Sequence, residues 1–225
     1  MENKLVVTTY TNDPNNPGYR RLASTLKAWR WNFQPIIGPY NGFTSKLKGV
    51  EDQLEYFKEQ GFTHLLFTDA FDTVCCGPPS KVDKFLTDKI LISCECACWP
   101  VPDLESKYPK VVASRWRYVN SGGYVGPIDL IKEMITGGEG DDQLWWTLKF
   151  LNEQNRIELD NTCKLFQSTA HTVQEWAPWN KTFEKLEDGC VLNKETGTTP
   201  MFFHGNGGDP KLLTWMEDHL KMEAI

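Results

Sequence analysis

Two aspartates, Asp69 and Asp72, directly follow the apolar run His64–Thr68. If that run is a strand of a parallel α/β sheet, both carboxylates lie at its carboxyl end, where such sheets bind ligands. Two carboxylates on a turn can face one divalent cation, and hard oxygen ligands suit Mg²⁺ or Mn²⁺. A nucleoside diphosphate would complete the coordination, with Phe71 placed against its base or ribose. The alternative is an ordinary turn whose aspartates cap the following segment, and the pair alone leaves both interpretations open.

A second segment with metal-binding potential is His204–Gly208, which begins at the last residue of the apolar run Met201–His204. His204 is a suitable third ligand for Mn²⁺, and the glycines allow backbone N–H groups to approach a phosphate closely. Asn206 is placed to donate to a diphosphate or a sugar hydroxyl, and Lys211 adds positive charge nearby. The alternative is a glycine-rich turn with an incidental histidine.

Two further acids, Asp141 and Asp142, stand at the start of a predicted helix. The simplest interpretation is structural, because the free N–H groups and the dipole of a helix start favour aspartate. The catalytic interpretation is that one carboxylate contacts a sugar or acts on an acceptor hydroxyl. The same dipole lowers the pKa of a carboxylate, so Asp142 is expected to stay ionised. At least one of the aromatic residues Trp145 and Trp146 is expected to be a core anchor.

A third group comprises Cys94, Cys96 and Cys98, which alternate along the chain. On a continuous strand they would point to one face and Glu95 to the other. Their spacing does not match zinc sites, in which two to four other residues separate the paired cysteines, so buried thiols are expected instead. Glu95 would then face a cleft together with Trp99, although exposure to solvent is the plainer alternative for a lone glutamate.

The composition is that of an ordinary globular domain, with 40% hydrophobic and 24% charged residues in a chain of 225. The net charge of −6 disfavours binding of nucleic acid through a broad, positively charged surface. Nine Trp hint at stacking on a ligand, and an exposed Trp-rich face would favour a homodimer.

The odd number of Cys, with Cys75 beside Cys76, predicts reduced thiols. No apolar run reaches the ~20 residues of a membrane span and no signal peptide is visible, so a cytoplasmic protein without a membrane partner is expected.

The elements that must position these residues alternate between strand and helix patterns. This rhythm predicts a single α/β domain over residues 1–225, with a mostly parallel central sheet flanked by helices. Less regular segments follow Pro100, including a strand over Tyr118–Gly126 that is broken by a glycine pair, a hairpin between Asn180 and Lys194, and a last helix over Pro210–Lys221. The predicted strands of the first half are Leu5–Thr9, Phe33–Ile37, His64–Thr68 and Ile90–Cys94; the predicted helices of the chain also include Tyr19–Trp29, Thr44–Gln60, Ile128–Ile135 and Asp141–Leu151.

The segments that carry these residues resemble, in order, the glycosyltransferase domain of the multifunctional procollagen lysyl hydroxylases. The resemblance spans most of the chain, and the ordered set is more specific than any one member. The matching segments are Phe67–Asp72, Glu95–Pro100, Tyr108–Pro109, Asn120–Gly126, Asp141–Leu144, Leu159–Asp160, Phe166–Gln167 and His204–Gly207.

This resemblance implies a GT-A type (Rossmann-like) fold, Mn²⁺ (or Mg²⁺) and a UDP-sugar donor. It implies that Asp69, Asp72 and His204 hold the metal. Phe71 stands where the family has Tyr near the uridine, Lys46 would face the diphosphate, and Thr11 would lie at the uridine end of the first strand. The resemblance also places the following residues along the donor and acceptor cleft: Glu95, Trp99, Asn120, Asp141, Asp142, Gln167 and Asn206. Gly205 and Gly207 are expected to bind the nucleotide, since glycines let backbone N–H groups approach a phosphate closely.

Two departures from the family pattern concern the acceptor. The sequence ends soon after the His motif, so no hydroxylase domain is expected, and the acidic run is cut to Asp141 and Asp142, where the collagen enzymes carry a longer string. With no signal peptide visible, a stand-alone protein is expected, for example a viral protein in the host cytoplasm. These differences put a collagen acceptor in question.

The expected activity is transfer of glucose or galactose from a UDP-sugar to a hydroxyl, with (galactosyl)hydroxylysine as one candidate acceptor and a glycan as another. Three alternatives stay open: a nucleotidyltransferase, a glycosyltransferase acting on hydroxymethylated bases, and a non-catalytic nucleotide-sugar-binding module. For the first, Gly18, Arg20 and Arg21 do not form a convincing phosphate loop. The acidic balance argues against nucleic acid as acceptor. The sequence does not separate glucose from galactose, or retention from inversion.

Overall fold

The computed structural model describes residues 4–110, 114–170, 179–207 and 211–224, without the side chains of residues 179, 180, 211 and 212. None of the described helices is long and apolar enough to cross a membrane. The strands are β1 Leu5–Thr8, β2 Tyr10–Thr11, β3 Ile36–Ile37, β4 His64–Thr68, β5 Thr73–Cys75, β6 Ile90–Glu95, β7 Tyr118–Pro127, β8 Ile157–Leu159, β9 Phe166–Ser168, β10 Phe183–Lys185, β11 Val191–Asn193 and β12 Phe202–His204. The α-helices are α1 Pro17–Ala28, α2 Thr44–Glu59, α3 Ile128–Ile135, α4 Asp142–Asn152, α5 Trp179–Thr182 and α6 Lys211–Met216. Short 3-10 helices cover Pro79–Lys81, Asp83–Phe85, Pro102–Lys107 and Glu217–His219.

The central sheet has five strands in the order β1-β4-β7-β6-β8. β1 pairs with β4 and β6 pairs with β8 in parallel, whereas β7 is antiparallel to both of its neighbours. Four strands therefore share one direction, as expected, and β7 makes the sheet mixed. The predicted α/β fold is confirmed with this refinement.

Both faces of the central sheet are covered, which explains the continuous apolar runs of β1 and β4. Val6 and Leu65 pack in a core with helices α2, α3 and α4, while Val7 and Leu66, one residue further along each strand, pack in a second core with α1. Trp146 is completely buried in the first core, which confirms the expected aromatic anchor on α4.

β7 is continuous, contrary to the predicted break at its glycine pair. The glycines mark instead an irregularity in its pairing with β6, because Ile92 pairs with Tyr124 whereas Ser93 pairs with Asn120. Residues 121–123 thus bulge out of this ladder, and a bulge at a sheet end is a common way to redirect side chains toward a site. This bulge lies beside the end of β4, since Thr68 pairs with Gly123.

Most other predicted elements are confirmed within one or two residues, including the hairpin of β10 and β11. Three expectations are wrong. The second strand, predicted over Phe33–Ile37, covers only Ile36–Ile37. The last helix, predicted to reach Lys221, ends at Met216, and a 3-10 helix follows from Glu217. The cysteine alternation fails because β6 ends at Glu95, so Cys96 and Cys98 do not continue the strand.

All seven cysteines are free of disulfides, in agreement with the reduced state predicted from their number. The expected Trp-rich surface is absent from the described part of the chain, where Trp99 is the one tryptophan with an exposed side chain. A face for homodimer formation therefore gains no support from tryptophan exposure.

Candidate active site

Asp69, Asp72 and His204 form an acidic cluster at the carboxyl end of β4. Asp69 and Asp72 flank the turn between β4 and β5, and β12 lies antiparallel to β5 with His204 opposite Thr73. One ligand atom from each of the three residues lies within 4.8 Å of the others. His204 Nε2 is 3.5 Å from Asp69 Oδ2 and 3.2 Å from Asp72 Oδ1. Among the described residues, this is the one group of three or more His, Cys, Asp and Glu with metal-binding geometry.

The orientation of the His204 ring fits a metal ligand. Its Nδ1 lies 3.0 Å from Asn120 Oδ1, which also accepts a hydrogen bond from the backbone N–H of Gly122. Because this oxygen accepts, Nδ1 carries the proton and donates, and Nε2 faces the two carboxylates. Nε2 is buried, and the two carboxylates are its neighbours at 3.2 and 3.5 Å. A ring nitrogen that faces two carboxylates is the donor set that a divalent cation requires.

The carboxylates also set the electrostatics of the cluster. Burial lowers the pKa of His204, but the negative charges of Asp72 and Asp69 more than offset that effect and raise it. Burial raises the pKa of Asp72, but the interactions with His204 and Lys46 more than offset that effect and keep the pKa below its ordinary value. The cluster is therefore a focus of negative potential that favours a cation.

Lys46, near the start of α2, joins this cluster to the start of α4. Its Nζ lies 2.9 Å from Asp69 Oδ1 and 2.8 Å from Asp142 Oδ2. Burial lowers the pKa of Lys46, but the two carboxylates more than offset this and raise it, so the ammonium group stays charged.

The expectation that the helix start lowers the pKa of Asp142 is wrong. Burial raises the pKa of Asp142, and the lowering effect of Lys46 does not fully compensate. The free N–H groups at the helix start are served by Asp141, which is the N-cap and accepts from Leu144 N at 2.8 Å. Asp141 thus has the structural role that its position suggested, although it also lines the cleft.

Glu95, at the end of β6, is the most enclosed acid of the cleft, with 4% of its surface exposed. Asn206 Nδ2 donates to its Oε2 at 2.8 Å, and Gln143 Nε2 donates to its Oε1. Asn206 in turn accepts from Ser168 Oγ at 2.8 Å. Burial raises the pKa of Glu95 from 4.5 to about 7, although the hydrogen bond from Gln143 acts in the opposite direction. A carboxyl with such a pKa can exchange a proton near neutral pH.

This pKa makes folding stability depend on pH. Because the folded state holds the Glu95 proton more tightly than the unfolded chain, the ionised side chain destabilises the fold as pH rises from 4.5 to about 7. In protein stripped of metal with EDTA, we expect the free energy of unfolding of the wild type to fall by up to about 3 kcal/mol relative to Glu95→Gln across that interval. Urea denaturation at a series of pH values measures the difference. Parallel pH profiles of the two proteins would contradict the assignment.

Two cavities meet at the acidic cluster and share Phe43, Lys46, Asp69 and Asp72. The polar cavity, about 300 Å³, extends toward α4 and the His204 turn. The aromatic cavity, about 290 Å³, extends toward β2. The polar cavity is lined in addition by Glu95, Ala97, Trp99, Asn120, Ser121, Gly122, Asp141, Asp142, Gln143, Ala170, His204, Asn206 and Gly207. The aromatic cavity is lined in addition by Tyr10, Asn12, Tyr40, Ala70 and Phe71.

The structure brings most of the residues expected from the sequence to these cavities, but it leaves three away from them. Thr11 is buried, and its hydroxyl accepts from Asp13 N at 3.1 Å. Gln167 is fully buried, with one end bonded to Ser168 O and the other to Asn193. Gly205 donates its N–H to Asp72 O at 2.7 Å, so that group is not available to a phosphate. The side chain of Lys211 and all of Gly208 lie outside the described residues.

Sequence reasoning missed the aromatic wall formed by Tyr10, Tyr40 and Phe43. Thr11 was the residue expected at the nucleoside. Side chains alternate along an extended segment, so its neighbour Tyr10 faces the cavity instead. Tyr40 and Phe43 belong to the connection between β3 and α2, where no periodic pattern indicates which side chains face a ligand. Gln143 was missed as well, although its position directly after Asp142 in the first turn of α4 was a usable signal.

Comparisons with known proteins agree with this geometry. The family model described as PLOD GT domain matches residues 1–223. A protein of Acanthamoeba polyphaga mimivirus is 34% identical over 87% of this chain and 42% of its own length. The multifunctional procollagen lysine hydroxylase and glycosyltransferase of Caenorhabditis elegans is 26% identical over 96% of the chain, and procollagen-lysine,2-oxoglutarate 5-dioxygenase 2 of Homo sapiens is 28% identical over 96%.

These relatives are longer proteins, since the chain spans 32% and 31% of the last two. A crystal structure of a glycosyltransferase involved in the glycosylation of the major capsid of PBCV-1 matches with a TM-score of 0.54 at 9% identity, over 96% of this chain and 98% of that one. At that identity the match speaks for the fold alone, which is of the GT-A type. The chain therefore belongs to the family of PLOD glycosyltransferase (GT) domains and is a glycosyltransferase.

Proposed function

We propose that the chain transfers a hexose, glucose or galactose, from a UDP-sugar to an acceptor hydroxyl with the help of Mn²⁺ or Mg²⁺. One observation carries the proposal: the acidic cluster lies where the aromatic and polar cavities meet. A nucleoside diphosphate sugar has the same order of parts, with a flat base at one end, a metal-binding diphosphate in the middle and a polar sugar at the other.

The aromatic cavity is suited to the nucleoside. Tyr40 and Phe71 are partly exposed there and offer ring faces for stacking. The Tyr10 hydroxyl donates to Pro39 O at 2.8 Å, which ties β2 to the loop that carries Tyr40. Asn12, whose side chain is exposed, supplies both a donor and an acceptor for the edge of a uracil.

The acidic cluster is suited to a diphosphate that is held through a divalent cation. A divalent cation bound there supplies electrostatic stabilisation of the leaving diphosphate. Asp69, Asp72 and His204 would hold it, and the charged Lys46 borders the same space from the α2 side. Gly207, with φ of 76°, adopts a backbone conformation that glycine tolerates and lines the polar cavity, where its small size admits a phosphate or a sugar.

The polar cavity is suited to the sugar and the acceptor hydroxyl. Asp142 faces it as a carboxylate paired with Lys46, which can bind sugar hydroxyls or stabilise positive charge at the anomeric carbon. Glu95 is held by Asn206 and Gln143 at the same wall. Trp99 is 62% exposed at the rim, as expected of a surface on which an acceptor stacks.

The nucleotidyltransferase alternative loses its main support. Gly18 lies at the start of α1 against the Phe71 backbone, and Arg21 is paired with Glu217 at 3.0 Å. Arg20 and Arg21 line a different depression, together with Glu223, away from the acidic cluster. These residues are not arranged around a phosphate position at the cluster.

The test of the proposal is release of UDP. The wild-type chain is incubated with Mn²⁺ and UDP-glucose or UDP-galactose, with GDP-mannose as the control donor. The acceptors to compare are hydroxylysine, galactosylhydroxylysine and hydroxymethylated DNA. We expect acceptor-stimulated UDP release with one UDP-hexose and one of the two lysine derivatives, and none after addition of EDTA. A folded, metal-binding protein that releases no UDP from either UDP-hexose would refute the proposed transfer, while UDP binding without turnover would support a non-catalytic module.

A further inference from the structure

We propose that Lys46 balances the charge of the active site, so that it weakens binding of the cation alone and strengthens binding of the nucleotide that follows. This inference rests on the proposed function, because it assigns the two ligands to the site described above. It differs from a simple phosphate contact in that the two effects of Lys46 have opposite signs.

The first observation is that the two carboxylate oxygens of Asp69 face different partners. Its Oδ1 contacts Lys46 Nζ at 2.9 Å, whereas its Oδ2 points toward His204 Nε2 at 3.5 Å. A cation held by Asp69 Oδ2 and His204 Nε2 therefore does not require Lys46 to leave Oδ1. The ammonium group and the cation would share one carboxylate and repel each other across it.

The second observation is the sum of charges. His204 counts as neutral in this sum, because a metal ligand must be the neutral imidazole. Three carboxylates, those of Asp69, Asp72 and Asp142, then face one ammonium group, which leaves a surplus of two negative charges. A divalent cation cancels that surplus, and the neutral site can then accept an anionic diphosphate. Without Lys46, three negative charges would attract the cation more strongly and would still repel the diphosphate after the cation had bound.

The third observation is that Lys46 is fixed and borders both cavities. Its side chain is 16% exposed and is held by Asp69 and Asp142. A buried charge acts more strongly than an exposed one, since water screens it less. Lys48 on the same helix is a natural control, because its side chain is 69% exposed and pairs with Asp52.

The experiment measures two affinities for each protein by calorimetry: that of Mn²⁺ alone, and that of UDP at saturating Mn²⁺. For Lys46→Gln we expect Mn²⁺ to bind about three- to tenfold more tightly and UDP to bind at least about tenfold more weakly than in the wild type. Lys48→Gln should leave both affinities within about twofold, because exposed charges contribute little. The reciprocal variant Asp142→Asn should shift both affinities in the opposite directions.

A Lys46→Gln protein in which Mn²⁺ and UDP both bind more weakly would show that Lys46 only supports the structure, and the inference would fall. Unchanged UDP affinity would also overturn it. If Lys46→Gln does not fold, Asp142→Asn still tests the inference, because an unchanged or weaker UDP affinity there would contradict it. A wild-type protein that binds neither Mn²⁺ nor UDP would instead defeat the proposed function itself.

Discussion

Asp72→Asn is expected to lower the affinity for Mn²⁺ by about 100-fold or more and to reduce metal-dependent UDP release correspondingly. Asp72 Oδ1 lies 3.2 Å from His204 Nε2, on the side where the acidic cluster is open. The substitution removes the negative charge but keeps the shape of the side chain. An amide also binds a divalent cation more weakly than a carboxylate, because it carries no net charge.

The fold should survive this change, because 38% of the Asp72 side chain is exposed and its backbone carbonyl still accepts from Gly205 N. Asp52→Asn, which removes an exposed carboxylate on α2, is the matched control for loss of one negative charge. Titration with Mn²⁺ followed by electron paramagnetic resonance measures the affinity. Equal Mn²⁺ affinity in Asp72→Asn and the wild type would remove Asp72 from the metal site.

Gly122→Ala is the second change with a large expected effect, at least about tenfold on Mn²⁺ affinity, through a residue that is not itself a ligand. A Cβ at Gly122 would lie 2.1 Å from His204 Cε1 and 2.4 Å from His204 Nδ1. The imidazole would have to move, and the hydrogen bond between its Nδ1 and Asn120 would be lost. His204 would then leave the position in which its Nε2 faces the carboxylates.

Gly123→Ala provides the control for overpacking alone. A Cβ there would approach the ring of Phe166 at 2.7 Å, which is in the core and holds no metal ligand. Both variants should lose about 1–3 kcal/mol of stability, as added methyl groups in a packed interior usually do. Only Gly122→Ala should lose Mn²⁺ affinity. A similar loss in both variants would show that the effect is a general one of packing.

The sequence predicted the metal half of the site better than the nucleoside half, and the reason is physical. Asp69, Asp72 and His204 follow apolar strand patterns, so their place at a sheet end follows from the strand assignment. Tyr40 and Phe43 lie in an irregular connection whose path is set by tertiary contacts, including that of Thr44 Oγ1 with Gly140 O. Such contacts leave no periodic trace in a single sequence.

Two other expectations failed, each for its own reason. The helix dipole predicts a lowered pKa for Asp142, but burial has the larger effect and a local pattern does not report it. The resemblance placed Gln167 along the cleft, yet its amide bonds with Ser168 and Asn193 inside the protein. Glu95 shows the opposite case, since a glutamate on a strand is ordinarily exposed and here it is buried against Asn206.

The measurement that tests the account most directly is a crystal structure of the wild-type chain grown with Mn²⁺ and UDP, with anomalous diffraction recorded for manganese. The predicted result is one anomalous peak bounded by Asp69, Asp72 and His204, with the uracil ring between the aromatic side chains of the aromatic cavity. A manganese peak elsewhere, or UDP bound away from the junction of the two cavities, would contradict the account.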